Sequence, residues 1–210
     1  CKMEWSAENS FVKAMYSRIY FQIPIANVFI KESSDESMND KGFTVEQQNE
    51  IRTYRAEARF MRALSYYHAM DLFGNVPFVD ETDPIGVFTP DQITRPDLFD
   101  WIEAELLSIE DDLLEPASVP YGRASKAAAQ TLLGKMYLNA EVYTNNPRWD
   151  DCITYCNKVI DNGGFSLSPS YSELFMADNH TSSEIIFPVC FDGQYTQTCL
   201  LYTSPSPRDV

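Results

Sequence analysis

The residues best suited to chemistry lie in one stretch, RAEARFMRALSYYHAMDLF, which runs from Arg55 to Phe73. Glu57, His68 and Asp71 occur there beside arginines that recur every three or four residues, Arg55, Arg59 and Arg62. Carboxylates and a histidine are the groups that general acid–base catalysis uses, and arginines bind anions. The stretch is therefore either a catalytic helix or a structural helix whose charges are paired with neighbouring elements.

A helical wheel of this stretch favours the structural interpretation. The three arginines share one narrow strip with Tyr66, whereas Glu57, His68 and Asp71 fall on the other side. Two apolar flanks separate the strips, so the helix is expected to be packed on two sides. No nucleophile accompanies His68 in the sequence. We therefore expect the arginines to pair with acids of neighbouring helices or to bind their exposed carbonyls.

The charge balance restricts the partners of this 210-residue chain. It carries 31 acidic and 16 basic residues, a formal net charge of −15. Nucleic acids and anionic membrane surfaces are bound through lysine and arginine, so neither is an expected partner. No apolar run is long enough to span a bilayer, and no signal peptide opens the chain.

No cofactor and no metal are expected from the sequence. Metal-ligand spacings such as C-x-x-C are missing among the five cysteines. Cys152 and Cys156 face the same way on a helical pattern, which places them poorly for a disulfide. The acids Asp80, Glu81 and Asp83 have side chains that can bind Ca²⁺, but we interpret them as a solvated loop.

The rest of the chain predicts helices joined by polar or extended loops. A helix over 7–31 should kink at Pro24, and 31–42 is a polar loop. Thr44 and Gln47 form a capping box that starts a helix ending at Phe73, before Gly74. Further helices are predicted from Pro96 onward, over 125–142 and over 148–162. YSELF is a helical turn, and SEIIFPV is a short strand.

Two of these helices resemble a repeat unit. LLGKMYLNAEVY has the Leu-Gly-x-x-Tyr spacing of the first helix of a tetratricopeptide repeat. The facing stripe of the second helix is predicted to be Trp149, Ile153, Cys156 and Ile160. One such pair cannot bury its own faces, so neighbouring helices must stack on it. The fold class is therefore predicted to be all-α, a right-handed array of helical hairpins with short extended loop segments.

Several ordered motifs resemble the SusD/RagB family. EARFMRALSYYHAMDLFGNVPFV, over 57–79, is similar to the family signature, and YFQIPIAN and GRASKAAAQTLLGKMYLNA match two other family helices. KVIDNGGFSL, YSELFMADN and SEIIFPV continue the match to Val189. We expect 1–198 to be an incomplete SusD-like helical domain without its C-terminal part. Residues 199–210 are interpreted as a translated sequencing-adapter tail.

The resemblance implies a non-enzymatic protein on the outer face of the outer membrane of Bacteroidetes-type bacteria. Members of the family are lipoproteins that bind oligosaccharides or other nutrients and cover a SusC-like TonB-dependent transporter. A lipid anchor would then lie on an N-terminal segment outside this chain. The loop aromatics Trp5, Tyr121 and Tyr195 are the candidate ligand-binding residues, whereas Trp101 and Trp149 are assigned to the core.

Two other classes of protein remain open at this point. An intracellular tetratricopeptide scaffold that binds peptides explains 133–143, but not LFGNVPF or SEIIFPV. An α/α-barrel glycosidase needs two opposed carboxylates in a cleft. The acids of the helix that follows Pro96 are expected mostly to line outward faces instead, namely Glu103, Glu105, Glu110, Asp111 and Asp112.

Overall fold

The protein is described by a computed structural model, which covers residues 6, 8–84, 86, 88–176 and 178–190. Within these ranges the regular secondary structure is almost entirely helical, which confirms the predicted all-α class. The helices are α1 Ser10–Glu32, α2 Asp35–Asp40, α3 Val45–Phe73, α4 Arg95–Ile109, α5 Lys126–Leu138, α6 Ala140–Thr144 and α7 Trp149–Asn162. The strands β1 Val76–Pro77 and β2 Gln92–Ile93 form a small antiparallel pair. The interpreted adapter tail, 199–210, lies outside the described residues.

The first part of the chain contains one helix, α2, that was not predicted. α1 continues across Pro24, and Asn9 caps it by accepting hydrogen bonds from the N–H groups of Phe11 and Val12. The predicted polar loop over 31–42 instead contains α2. The Ser34 side chain caps α2, and two acids in its first turn complement the helix dipole. These capping interactions outweigh the polar composition of the segment.

The central helix α3 begins and ends as its capping signals predict. Thr44 Oγ1 accepts from the N–H of Gln47, and the Gln47 side chain accepts from the N–H of Thr44, which confirms the capping box. Gly74 has φ 76° and donates its N–H to Met70 O, which ends the helix. A positive φ is accessible to glycine at little cost, because it has no Cβ.

Side chains of α1 and α3 hold the segment that follows α3. Tyr20 donates its hydroxyl to Pro77 O at 2.8 Å, and Asn27 Nδ2 donates to Val79 O at 3.2 Å. The hydroxyl of Tyr66 donates to Val79 O at 2.7 Å and accepts from Val79 N–H at 2.8 Å. The motifs YFQIPIAN and LFGNVPFV are therefore in direct contact, although about fifty residues of chain separate them.

Two predicted elements in the second half are wrong. The single helix predicted over 125–142 is divided at Asn139, whose N–H donates to Met136 O in a tighter turn between α5 and α6. Residues 183–189, predicted as a strand, form turns and irregular structure. A strand requires a neighbouring strand for its backbone hydrogen bonds. Residues 183–189 have no paired strand, and Ile186 and Phe187 contact the core through their side chains instead.

The helices pack in pairs around one core. α1 packs on α3, α3 packs on α4, and α5 packs on α7. The predicted facing stripe of α7 is wrong for Trp149, Ile153 and Ile160, which are exposed, because Cys152 and Tyr155 contact the core instead. Cys156 does lie beside Gly134 of α5, as predicted. Trp101 is packed as predicted, against Tyr66 and Phe78. Cys152 and Cys156 are free thiols, in agreement with the sequence.

Candidate ligand-binding surface

The arginines of α3 form a buried ionic network. The side chain of Arg62 is 1% exposed. Its Nη1 donates to Asn27 Oδ1 at 2.7 Å and also to Glu81, and its Nη2 donates to Glu105 Oε1 at 2.6 Å. The Arg62 guanidinium also lies 5.1 Å from the centre of the Trp101 ring. Arg62 therefore connects α1, α4 and the loop after β1 to α3.

Glu105 is shared by two arginines. Arg59 Nε and Nη2 donate to the two carboxylate oxygens of Glu105 at 2.9 and 2.7 Å, a bidentate geometry. Burial favours the neutral acid, but the hydrogen bonds and charges of Arg59 and Arg62 outweigh burial and lower the pKa of Glu105. Burial likewise opposes the charge of Arg62, but Glu105 and Glu81 outweigh it and raise the Arg62 pKa. Both groups are therefore ionised at neutral pH.

Other charged groups of α3 also contact neighbouring elements. Arg55 donates to Ser33 O at 2.7 Å and to Asp35 at 3.0 Å. On the other side of the helix, Asp71 accepts the hydroxyl of Tyr143 at 2.7 Å. His68 is half-buried, and burial, followed by the charge of Lys135, lowers its pKa. The prediction that the arginines pair with acids and exposed carbonyls is confirmed, and the helix is structural.

The five acids in and just after α4 were predicted mostly to face outward, and this is wrong for three of them. Glu105 binds Arg59 and Arg62, as above. Glu103 accepts from Tyr137 at 2.6 Å and from Arg148 at 2.9 Å. Glu110, directly after α4, accepts from Gln130 at 2.8 Å and from Lys158 at 3.1 Å. These carboxylates have cationic or hydrogen-bonding partners on other helices, which sequence periodicity alone cannot identify.

The acidic loop after β1 is ordered by its own side chains and by Arg62. Asp80 Oδ1 accepts from Thr82 N and Oγ1 at 2.8 and 2.6 Å, and Asp83 accepts from the N–H of Asp80 at 2.9 Å. Glu81 is not a solvated loop residue, because it turns inward to Arg62. Across the described ranges, no group of three or more His, Cys, Asp or Glu side chains is arranged to hold a metal ion.

Tyr121 is the one predicted ligand-binding residue that lies within the described residues. Its ring is 57% exposed at the end of the α4–α5 connection, with its centre 6.2 Å from that of His180. Gly122, which follows, has φ 85° and turns the chain at this point. The Tyr121 ring borders a cleft between this connection and the segment 185–188, and Phe165 and Ile186 contribute apolar walls. Trp5 and Tyr195 lie outside the described residues.

A second aromatic group lies beside the Tyr121 cleft. Tyr54, on α3, lies under the guanidinium of Arg123, whose Cζ is 4.6 Å from the ring centre. Arg123 Nε donates to Glu57 Oε2 at 3.0 Å, and its Nη2 donates to Oε1. Tyr54, Glu57 and Arg123 line a second cleft. Gly122, Arg123 and Pro188 line both this second cleft and the Tyr121 cleft, so the two clefts are adjacent. We call this region, with Tyr54, Tyr121, Arg123 and His180, the aromatic surface.

The aromatic surface combines the types of side chain that ligand recognition uses. Aromatic rings present an apolar face, and Arg123 and Glu57 add planar donors and acceptors at the same place. Of these residues, Tyr121 was a candidate from the sequence, whereas Tyr54, Arg123 and His180 were not. Arg123 follows Tyr121 and Gly122 in one short loop, and that proximity was a usable signal. The sequence contains no such signal for Tyr54 and His180, because only the fold brings α3 and the 3-10 turn Asn179–Thr181 near this loop.

Comparisons with known proteins agree with the helical architecture. Residues 2–138 match a SusD-like family model described as starch-binding and associated with the outer membrane. The starch-binding protein SusD of Bacteroides thetaiotaomicron is 36% identical over 199 residues, which are 93% of this chain and 34% of SusD. The SusD-like protein P25 of Formosa agariphila is 26% identical over 190 residues, 89% of this chain and 33% of that protein. The chain therefore spans about a third of the length of these relatives.

A solved structure shows the same fold. A SusD superfamily protein from Parabacteroides distasonis superimposes with a TM-score of 0.74 at 22% identity, covering 89% of this chain and 39% of the other. Among the helices in the described ranges, none combines the length and apolar character needed to cross a membrane. The family model matches well over half of the chain, in the region that contains α1, α3, α4 and α5. The chain belongs to the SusD-like family.

Proposed function

We propose that the full-length protein is a glycan-binding protein of the outer membrane that captures oligosaccharides for a SusC-like TonB-dependent transporter. The observation that carries the proposal is the family match over residues 2–138, because that family is described as starch-binding and associated with the outer membrane. The 36% identity to a protein named for starch binding supports the same ligand class. In this proposal the protein is an outward-facing lipoprotein whose anchor lies outside this chain.

The aromatic surface supports a carbohydrate ligand. A sugar ring has apolar C–H faces that stack on aromatic rings, and its hydroxyl groups exchange hydrogen bonds with planar side chains. Tyr121 offers an exposed ring, and Arg123 and Glu57 lie in the adjoining cleft. The formal charge of −15 on these 210 residues favours neutral oligosaccharides over sulfated or uronic acid polymers, which this part of the protein would repel.

The ion pairs of α4 support a binding role rather than hydrolysis. A retaining or inverting glycosidase uses two carboxylic groups that face the bond to be cleaved, one as an acid and one as a nucleophile or base. Glu103, Glu105 and Glu110 are each committed to donors from other helices. Carboxylates held in this way contribute to packing and are poorly placed to exchange protons with a substrate.

The ligand is tested by calorimetry on the full-length protein. Neutral α-glucan and β-glucan oligosaccharides are titrated, with a sulfated and a uronic acid oligosaccharide as controls. We expect saturable binding of at least one neutral series, no binding of the acidic controls, and no release of reducing sugar. Absence of binding by a folded protein to every neutral series would contradict the glycan assignment. Sugar release abolished by one acid variant would show an enzyme.

The partner and the anchor need separate experiments. The full-length protein is co-expressed with a transporter encoded beside it, extracted in mild detergent and purified through a tag on the transporter. We expect a stoichiometric complex, with an unrelated TonB-dependent transporter as the control. Replacing the cysteine that follows the signal peptide of the full-length precursor by alanine should release the protein from the membrane fraction. Retention in that fraction would argue against a lipid anchor.

A further inference from the structure

Helix α7 has three different faces. The inner face carries Cys152 and Tyr155, which pack against the core formed by α5 and its neighbours. The polar face is exposed and consists of Asp150, Thr154, Asn157 and Asp161. The third face, which we call the outer stripe, consists of Trp149, Ile153, Cys156 and Ile160. A surface helix normally needs only the first two faces, so the outer stripe requires an explanation.

The outer stripe is apolar and is exposed along α7, although the Cys156 Sγ lies close to Gly134 of α5. Trp149, Ile153 and Ile160 are 57%, 59% and 71% exposed, and Cys156 is also exposed. Single exposed apolar residues are ordinary, but a contiguous apolar patch on a protein surface marks an interaction site. The four positions are separated by four, three and four residues, so the pattern repeats every seven residues. That repeat is the pattern of a helix whose seam faces a second helix lying along it.

The chain offers an argument for what covers the stripe. It spans about a third of the length of its relatives, so most of the polypeptide of a full-length protein lies outside it. Arrays of helical hairpins stack each pair on the next, and an uncovered inner pair exposes its packing face. The polar face beside the stripe also carries two exposed acids, Asp150 and Asp161. A covering helix with basic residues along that edge would complement both the apolar and the charged parts.

We propose that the outer stripe is an intramolecular interface, covered in the full-length protein by an amphipathic helix from the polypeptide outside residues 1–198. The covering helix lies lengthwise along α7, with its apolar seam on Ile153 and Ile160 and its basic residues beside Asp150 and Asp161. The proposal concerns the packing of α7 and does not depend on which glycan, if any, the protein binds.

The test measures the accessibility of single introduced thiols in the full-length protein. Ile160→Cys places a thiol on the outer stripe, and the matched variant Asn157→Cys places one on the polar face of the same helix. Each is labelled with a maleimide under native conditions, and the modified peptide is quantified by mass spectrometry. We expect Ile160→Cys to react at least about tenfold more slowly, because labelling a covered thiol requires local opening. Equal rates would overturn the proposal.

Two further measurements keep the outcome decisive. If Ile160→Cys does not fold, Ile153→Cys replaces it, and hydroxyl-radical footprinting of the unsubstituted protein compares Trp149 with the exposed Tyr171. Low oxidation of Trp149 supports the proposal, and oxidation in proportion to the 57% exposure of Trp149 overturns it. Sedimentation at the same concentrations identifies a dimer. Protection that appears only in the dimer assigns the stripe to a second copy and also overturns the proposal.

Discussion

Helices α3 and α7 are built on the same principle but are covered to different extents. Each has two apolar faces as well as polar residues, which is the pattern of a helix packed on two sides. α3 has neighbours on both sides, α1 and α4, and its arginines bind acids from α2, α4 and the loop after β1. α7 contacts α5 on one side, while its outer stripe is exposed. A two-faced pattern thus predicts that a helix has two neighbours, without saying where in the chain they lie.

The largest loss of stability is expected from substituting Arg62, whose side chain on α3 is buried. Arg62→Met removes the cation that Glu105 and Glu81 share inside the protein, which leaves buried carboxylate charge with fewer partners. We expect the free energy of unfolding of the full-length protein to fall by about 3–5 kcal/mol, measured by denaturant titration. Arg52→Met is the control, because its ion pair with Asp35 is largely exposed and should contribute at most about 1 kcal/mol. Equal losses in both variants would contradict the comparison.

A smaller loss of stability is expected from a substitution on α7, and only if the outer stripe is covered in the full-length protein. Ile153→Asp places a charge on the stripe, whereas Asn157→Asp places the same charge on the polar face. In the full-length protein we expect Ile153→Asp to lower the free energy of unfolding by about 2–3 kcal/mol and Asn157→Asp to leave it within about 0.5 kcal/mol. Thermal melts of the two variants measure the difference. A tolerated Ile153→Asp would mean that α7 differs from α3 and has only one neighbour.

The ionic network of α3 also predicts a dependence of stability on pH. The folded-state pKa of Glu105 is lowered from its ordinary value of 4.5. Its contribution to stability is therefore fully present above pH 4.5 and is lost as the pH falls through the lowered value. The melting temperature should fall less steeply between about pH 5 and pH 3 in Glu105→Gln than in the unsubstituted protein, because the variant has no such group to protonate. Identical slopes would exclude Glu105 as a contributor.

The smallest effect is expected outside both helices, at the aromatic surface. Tyr121→Ala should leave the melting temperature unchanged, because the ring is exposed and contributes little to packing. It should weaken binding of the glycan identified by calorimetry by about three- to tenfold, the range of one aromatic contact. Tyr171→Ala is the control, since that ring is also exposed but lies outside the two clefts. Equal affinities for all three proteins would exclude Tyr121 from the site.

The sequence was sufficient to predict the features that depend on residues close to one another along the chain. The capping box at Thr44, the glycine that ends α3 and the proline that opens α4 are local signals, and all three helix boundaries lie within one residue of the prediction. The helical period and the ordered motifs also led correctly to the all-α class and to the SusD-like family. These features rest on hydrogen bonds and backbone preferences within a few residues, so one sequence contains the information they need.

Only the tertiary structure decided which of several possible faces is buried. The sequence marked Trp149, Ile153 and Ile160 as the inner stripe of α7, but α5 packs against the face with Cys152 and Tyr155. The acids of α4 were predicted to face outward, but Glu105 is buried because Arg59 and Arg62 reach it from α3. In both cases the outcome depends on a partner more than ten residues away along the chain. The periodicity of one helix describes its own faces and has no information about which neighbour reaches them.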